Sequence, residues 1–176
     1  MKLIIKLCKL ISRANKVTAS ITCWISLPLI FVLIYEIISR YFFNKPTSWA
    51  YDMTWMLFGS LGYLGAGYTH LIGGHVRVDV IYKMFPLRIQ ALIEVICYCI
   101  FFFPIMYMLV VYTYDLAHSA WLLGVKSPFT MWKPVTWPVK TALFFGLSLL
   151  LLQGIVGFVE HLHILIKGSR MDDISS

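Results

Sequence analysis

Four stretches of this sequence are long, strongly apolar and free of charged side chains. They run from Val17 to Tyr35, Met53 to Thr69, Val95 to Tyr114, and Thr141 to Val159. Three of them are 19 or 20 residues long and the second has 17. Because a helix rises about 1.5 Å per residue, such lengths match the roughly 30 Å hydrocarbon core of a bilayer. Soluble helices of this length carry a polar stripe, so the sequence predicts an all-α membrane protein with four transmembrane helices.

The segments outside these stretches are too short for a soluble domain. Of the 176 residues 60% are hydrophobic and 13% are charged, whereas soluble domains average about 25% charged residues. Stable domains usually need about 50 residues or more. We therefore predict one four-helix membrane domain over residues 17–166, with spans at about 17–43, 50–70, 88–115 and 137–162, preceded by a segment over 1–16 and followed by a short polar tail over 167–176.

Basic residues are distributed unevenly between the predicted loops. The N-terminal segment, the loop after the second span and the C-terminal segment together carry ten Lys and Arg residues, against five in the other two loops. Since membrane proteins concentrate Lys and Arg on the cytoplasmic side, we expect both termini in the cytoplasm. The same bias accounts for the net charge of +7 without nucleic acid as a partner.

The N-terminal segment has the charge spacing of a helical face. Its basic residues are four, three, four and three positions apart, with apolar residues between them: Lys2, Lys6, Lys9, Arg13 and Lys16. This pattern predicts a short amphipathic helix over 1–16 that lies in the membrane interface, with its cations near anionic lipid headgroups. A topology signal without fixed structure is the alternative.

Small and polar residues inside the spans indicate helix packing. Gly62 and Ala66 are four positions apart in the second span, a spacing that lets helix backbones approach closely. Packing within this chain is the simpler use of that surface, and docking of a partner is the other. Gln153 in the fourth span is expected to join two helices, and Glu36 and Arg40 are spaced to pair on one helical face.

The sequence has no pattern typical of catalysis. It contains no nucleophile elbow, phosphate-binding glycine loop or HExxH metal helix, and it lacks the internal repeat common in carriers. We predict no enzyme activity, no catalytic residue, no metal and no cofactor. One alternative stays open: imidazoles from different helices, such as those of His70 and His161, can ligate haem. The chain would then be a b-haem-binding membrane anchor subunit of an electron-transfer complex.

Short motifs between Arg40 and Pro86 resemble a known family. An Arg-Tyr pair ends the first span and is followed by a Pro, a Trp and an acid three residues after the Trp, here Arg40-Tyr41, Pro46, Trp49 and Asp52. A Leu-Gly-Ala step and a Gly-His-x-x-x-Asp element come next, here Leu64-Gly65-Ala66 and Gly74 to Asp79. In this order they resemble the small transmembrane subunit of tripartite ATP-independent periplasmic (TRAP) transporters, the DctQ-like family. The family acid is commonly Glu, and this chain has Asp52.

The resemblance implies a function. In this family a periplasmic solute-binding protein captures the solute and a large multi-span permease subunit moves it, driven by a sodium gradient. The small subunit packs against the large one and enlarges its footprint in the membrane. The chain would thus be a multi-pass protein of the bacterial inner membrane that supports sodium-coupled uptake of an organic acid. Its partners would be the permease, the binding protein and membrane lipids.

On the outer side, the resemblance implies roles for three motif residues. Arg40 and Asp52 would pair across the turn between the first two spans. Trp49 would anchor that turn in the lipid headgroups. Interfacial anchoring alone is the simpler alternative for each.

Deeper in the membrane and on the inner side, the motifs imply further structural, partner or lipid contacts. Gly62, Gly65 and Ala66 would form the small-residue surface of the second span. In the inner loop, His75 and Asp79 would fix the chain, and Arg77 would lie near lipid phosphates or the partner.

Overall fold

The computed structural model describes residues 2–74 and 85–167, which are almost entirely helical. The elements are α1 (Lys2–Cys23), α2 (Ser26–Tyr41), α3 (Ala50–Leu71), α4 (Leu87–Cys97), a π-helical turn (Tyr98–Phe102), α5 (Phe103–Leu123) and α6 (Trp137–Lys167). Within these two ranges the β structure amounts to one isolated bridge between Lys126 and Val135. The predicted all-α fold class is confirmed.

Within the part of the chain that the structure describes, three helical segments are long and apolar enough to cross a membrane. They are Ile5–Tyr41, Leu87–Leu123 and Trp137–Ile166, and they contain α1 with α2, α4 with α5, and α6. Helix α3, on the second predicted span, is 22 residues long but is not among them. Its Gly, Tyr and Thr residues lower its mean hydropathy. The segments are typical of an integral membrane protein, while the number of four spans stays a prediction.

Pro28 explains the break in the first long segment. Proline has no amide hydrogen and its ring crowds the carbonyl four residues earlier, which belongs to Trp24. At that point the amides of Trp24 and Ile25 donate to carbonyls three residues back, at 3.1 and 2.9 Å. Helix α1 therefore ends at Cys23. It begins at Lys2 and passes through residue 16 without interruption. The division between an interfacial helix over 1–16 and a span from 17 stays a prediction.

The bundle buries polar as well as apolar side chains and exposes many large apolar ones. Among the residues whose burial is described, seven polar side chains are buried, namely Asn15, Thr22, Asp52, Thr113, Ser127, Thr136 and Gln153. Large apolar side chains point outward; Phe31, for example, is 71% exposed and Leu123 is 77% exposed. Exposed apolar surface on this scale is unfavourable in water but natural against lipid, where polar groups face the protein interior instead.

Helix α6 is central and packs through its glycines. It contacts α1, α3, α4 and α5. A Cβ atom added at Gly146 would collide with the backbone carbonyl of Tyr63 in α3, and one added at Gly154 would collide with the ring of Phe102. The helices can approach this closely only because glycine has no side chain.

Helix α3 runs parallel to α6. A Cβ atom at Gly59 would lie 3.7 Å from Val139, near the start of α6, and one at Gly67 would lie 3.4 Å from the backbone of Leu149. Further on, His70 lies beside Gly157. Residue numbers thus increase together along both helices.

The loop between α5 and α6 is closed by its own hydrogen bonds. Helix α5 ends at Leu123, eight residues later than the predicted end of the third span at 115, and Gly124 follows with a left-handed φ of +58°. Glycine adopts this conformation without a Cβ penalty. The amide of Ser127 donates to the carbonyl of Pro134 at 2.8 Å, and the amide of Thr136 donates to that of Val125 at 2.9 Å.

Candidate functional site

Asp52 lies in the first turn of α3, and its side chain is completely buried. One carboxylate oxygen accepts hydrogen bonds from Trp55 Nε1 at 3.1 Å and from Ser127 Oγ at 2.6 Å. The other oxygen accepts a hydrogen bond from the hydroxyl of Thr130. These donors, together with the position at a helix N-terminus, offset the cost of removing the carboxylate from water.

These contacts fasten the α5–α6 loop to the start of α3. Ser127 and Thr130 belong to that loop, and Phe129 between them packs edge-on against Tyr51 and Trp55, with ring centroids 6.0 and 6.1 Å apart. Sequence reasoning missed Ser127 and Thr130 as partners of Asp52. No local signal identifies them, because they follow Asp52 by 75 and 78 positions.

Arg40 pairs with Glu36 instead of Asp52. Its Nε and Nη2 atoms donate to one oxygen of Glu36, at 3.1 and 2.6 Å. The second oxygen of Glu36 accepts bonds from the amide of Thr47, at 3.1 Å, and from its hydroxyl. The predicted Glu36–Arg40 pair is confirmed, and the predicted Arg40–Asp52 pair is wrong, because each residue has nearer partners of its own.

The Glu36 carboxylate holds the turn that leads from α2 to α3. Thr47 is bound to it across that turn, in which Asn44 has a left-handed φ of +50°. Since the Arg40 side chain is 59% exposed, its ion pair contributes at most about 1 kcal/mol to stability. Glu36 therefore matters more for the shape of the turn than for charge pairing.

Trp49 is the residue that precedes α3, and it contacts α2. Its ring centroid lies 5.6 Å from that of Tyr35. Its side chain makes no capping hydrogen bond to the helix. The predicted anchoring of Trp49 in the headgroups stays a prediction.

Gly62 and Gly65 lie on a surface of α3 that the described part of the chain leaves uncovered. A Cβ atom added at either position would meet no described atom within 4 Å outside its own helix. Phe58, one turn earlier, is 65% exposed, and Ala66 is partly exposed. We call Phe58, Gly62 and Gly65 the open α3 face. Close packing within the described chain, the simpler use expected for the surface of Gly62 and Ala66, is therefore not observed at Gly62, whereas Gly67 of the same helix does pack closely against Asn15.

The predicted inner-loop residues lie outside the described residues. His75, Arg77 and Asp79 fall between residues 74 and 85. Their roles in fixing the loop or contacting lipid or a partner stay predictions.

A buried amide pair joins α1 to α6 near the middle of α6. Asn15 Nδ2 donates to Gln153 Oε1 at 3.0 Å, and both side chains are buried. The expectation that Gln153 joins two helices is confirmed. Sequence reasoning missed Asn15; the available signal was a polar residue in α1 that lies off the cationic face of Lys9, Arg13 and Lys16.

His70 belongs to an aromatic cluster near the end of α3. Its Nε2 atom is 2.9 Å from the hydroxyl of Tyr98, and its ring stacks on Phe102 with centroids 5.8 Å apart. The hydrogen bond thus engages one of the two ring nitrogens of His70.

A model of a known protein family matches most of the chain. The family is described as the DctQ component of tripartite ATP-independent periplasmic transporters, and the match covers residues 29–163. The chain belongs to the DctQ family. The resemblance seen in the motifs between Arg40 and Pro86 is thereby confirmed. No curated protein matches the chain.

As a DctQ component, the chain is a small membrane subunit of a TRAP transporter. The matched region contains the buried Asp52 site, the open α3 face and the Glu36 turn. Family membership gives no support to the alternative of a haem-binding anchor subunit.

Proposed function

We propose that this DctQ component supports a large multi-span permease subunit in the bacterial inner membrane, and that it is not itself an enzyme. The transporter would take up an organic acid with sodium, and a periplasmic solute-binding protein would deliver the solute. Family membership supports the tripartite setting. The observation that carries the supporting role is the open α3 face, an uncovered helix surface with two glycines and an exposed aromatic side chain.

The physics of helix association in lipid favours this surface as the contact with the permease. Lipid chains are as apolar as leucine, so burial from water does not drive helices together inside a bilayer. Close van der Waals contact does, and small residues permit it. At Gly62 and Gly65 a helix of the permease can approach the α3 backbone, while Phe58 supplies a large side chain for it to pack against.

Adding bulk to the open α3 face is expected to prevent assembly. The double variant Gly62→Leu/Gly65→Leu places two side chains where a permease helix would approach. We expect the amount of permease that co-purifies with the tagged small subunit in mild detergent to fall at least about tenfold, the equivalent of about 1.4 kcal/mol. The matched control is Cys99→Leu, which adds bulk at an exposed position on the π-helical turn and should leave the yield unchanged.

The same preparations distinguish loss of assembly from loss of folding. Both variants should keep the helical circular dichroism and the elution volume of the unmodified small subunit. Retention of the permease at the normal ratio by the double variant would count against the open α3 face as the contact. Solute uptake by the purified small subunit alone in proteoliposomes would count against the supporting role as a whole.

We also propose that the chain crosses the membrane four times, with both termini in the cytoplasm. Helix α3 is less apolar than the other spans, but it packs side by side with α6 along most of its length. Asp52 contacts the loop that leads into α6, and His70 lies beside Gly157. The 22 residues of α3 rise about 33 Å, enough to cross the hydrocarbon core.

Reporter fusions test this topology. Alkaline phosphatase fused after Lys45 or Met131 should be active, since both positions would be periplasmic. Green fluorescent protein fused after Lys83 or Lys167 should fluoresce, since both would be cytoplasmic. Phosphatase activity after Lys83 would show that α3 does not cross the membrane and would overturn the four-span proposal.

A further inference from the structure

A cavity with both polar and apolar lining residues lies between α1, the end of α3, α4 and α6. Its volume is about 700 Å³, within the usual range of about 300–1,000 Å³ for ligand sites. One wall carries Lys9, Arg13 and Lys16 of α1, which are four and three positions apart on one helical face. Glu160 of α6 also lines the cavity.

Positive charge dominates this wall. Three cations and one carboxylate from α1 and α6 line the space. Among the residues that the structure describes, one ion pair is found, and it joins Arg40 to Glu36. None of the three cations therefore forms an ion pair with a described carboxylate. An excess of cations over carboxylates around a concave surface attracts anions.

An apolar groove adjoins the cavity. It has a volume of about 380 Å³, and His70, Gly73 and Tyr98 line both spaces. The rest of the groove is lined mainly by side chains of the π-helical turn and α5, among them Phe101 and Ile105. Glu94 is the charged residue in this lining. Phe101 is 62% exposed and Ile105 is 54% exposed, so the groove faces the surroundings of the bundle.

We propose that the cavity and groove together bind an anionic phospholipid. Its phosphate lies among Lys9, Arg13 and Lys16, and one acyl chain follows the groove along Phe101 and Ile105. Basic pockets between helices at the cytoplasmic side of a membrane are suited to anionic headgroups. A free phosphate would leave the groove unused, and a zwitterionic lipid would leave the cations unmatched, so only an anionic lipid uses both spaces.

The test uses the full chain, purified and delipidated in detergent, with lipid binding measured by native mass spectrometry. Phosphatidylglycerol should bind at least about tenfold more tightly than phosphatidylcholine. Each cation near an anionic headgroup contributes about fivefold in affinity. The triple variant Lys9→Gln/Arg13→Gln/Lys16→Gln should therefore bind phosphatidylglycerol roughly a hundredfold more weakly.

A matched control removes the same charge elsewhere. The variant Lys126→Gln/Lys133→Gln/Lys140→Gln should keep its affinity for phosphatidylglycerol within about twofold. The proposal is overturned if this control weakens binding as much as the α1 variant does, or if phosphatidylcholine binds as tightly as phosphatidylglycerol. Should the α1 variant fail to fold, salt dependence of the unmodified chain decides: binding must weaken as sodium chloride rises from 50 to 500 mM, and constant affinity overturns the proposal.

The groove has its own variant. Phe101→Ala/Ile105→Ala should weaken phosphatidylglycerol binding about tenfold, since it removes apolar surface that the acyl chain would cover. Inorganic phosphate at 10 mM should not displace the lipid. Displacement by phosphate, together with an unchanged affinity of the groove variant, would show a site for a free anion and would overturn the assignment to a lipid.

Discussion

Replacement of Asp52 by Ala is expected to destabilise the membrane domain by about 4 kcal/mol and to release the α5–α6 loop. The carboxylate is fully buried and accepts hydrogen bonds from Trp55, Ser127 and Thr130. Hydrogen bonds to a charged group contribute about 1.5–3 kcal/mol each, and the donors left behind lose their acceptor in a buried place. Thermal unfolding of the purified chain in detergent measures the loss.

Two further substitutions resolve what the carboxylate contributes. Asp52→Asn keeps one acceptor oxygen and should cost about half as much. Asp115→Ala removes an exposed carboxylate and should change stability by less than about 0.5 kcal/mol. A melting temperature for Asp52→Ala equal to that of Asp115→Ala would show that the Asp52 contacts do not hold the loop.

The helices were predictable from the sequence, but several of their ends were not. Length and apolarity of the four stretches placed α2, α3, α5 and α6, because these properties are local. The third span was predicted to end at about 115, whereas α5 continues to Leu123. Asp115 is exposed, so its charge does not require the helix to stop; a helix can continue past the apolar core of the membrane.

The π-helical turn lies just before a proline, Pro104. Pro104 lacks the amide that would bond the carbonyl of Ile100, in the helix just before it. The chain widens into a π-helical turn over Tyr98–Phe102 at this place, an arrangement that often accommodates an interrupted helix. A proline predicts an interruption of the helical hydrogen bonds. Whether the helix responds with a kink or a π-helical turn depends on the helices that pack around the proline.

The Asp52 site shows the limit of local reasoning more sharply. The Trp49-x-x-Asp52 motif marked this carboxylate as important, and the family resemblance paired it with Arg40. In the structure, two hydroxyl groups from a loop that is distant in sequence donate hydrogen bonds to Asp52. Arg40 forms its ion pair with Glu36 instead. Which of several polar partners a buried carboxylate finds is decided by the packing of helices that are far apart in sequence.

Gly146→Leu is expected to disrupt the fold of the small subunit, with a loss of about 3 kcal/mol or more. A Cβ atom at this position would collide with the backbone carbonyl of Tyr63. A side chain can change rotamer to relieve a clash, but a helical backbone carbonyl cannot move without breaking α3 or separating it from α6. Overpacking of this kind costs about 1–3 kcal/mol even where side chains can adjust.

Gly62→Leu is the matched control. It makes the same glycine-to-leucine change on a helix surface that no other helix of the described chain covers, whereas Gly146 lies against α3. A Cβ atom at Gly62 meets no described atom within 4 Å outside its own helix, so the isolated subunit should melt at its normal temperature. Thermal unfolding in detergent compares the two variants directly. Equal melting temperatures for Gly146→Leu and the unmodified chain would show that the close approach of α3 and α6 is not required for stability.

The two glycines separate folding from assembly. Gly146→Leu should lower both the stability of the subunit and its co-purification with the permease, because a subunit whose α3 has left α6 presents no ordered open α3 face. Gly62→Leu should weaken co-purification while leaving stability unchanged, since the added side chain meets only the partner. Both positions are glycines in apolar helices, so the sequence alone does not distinguish them. Their expected effects differ because Gly146 packs against α3, whereas Gly62 faces no other part of the described chain.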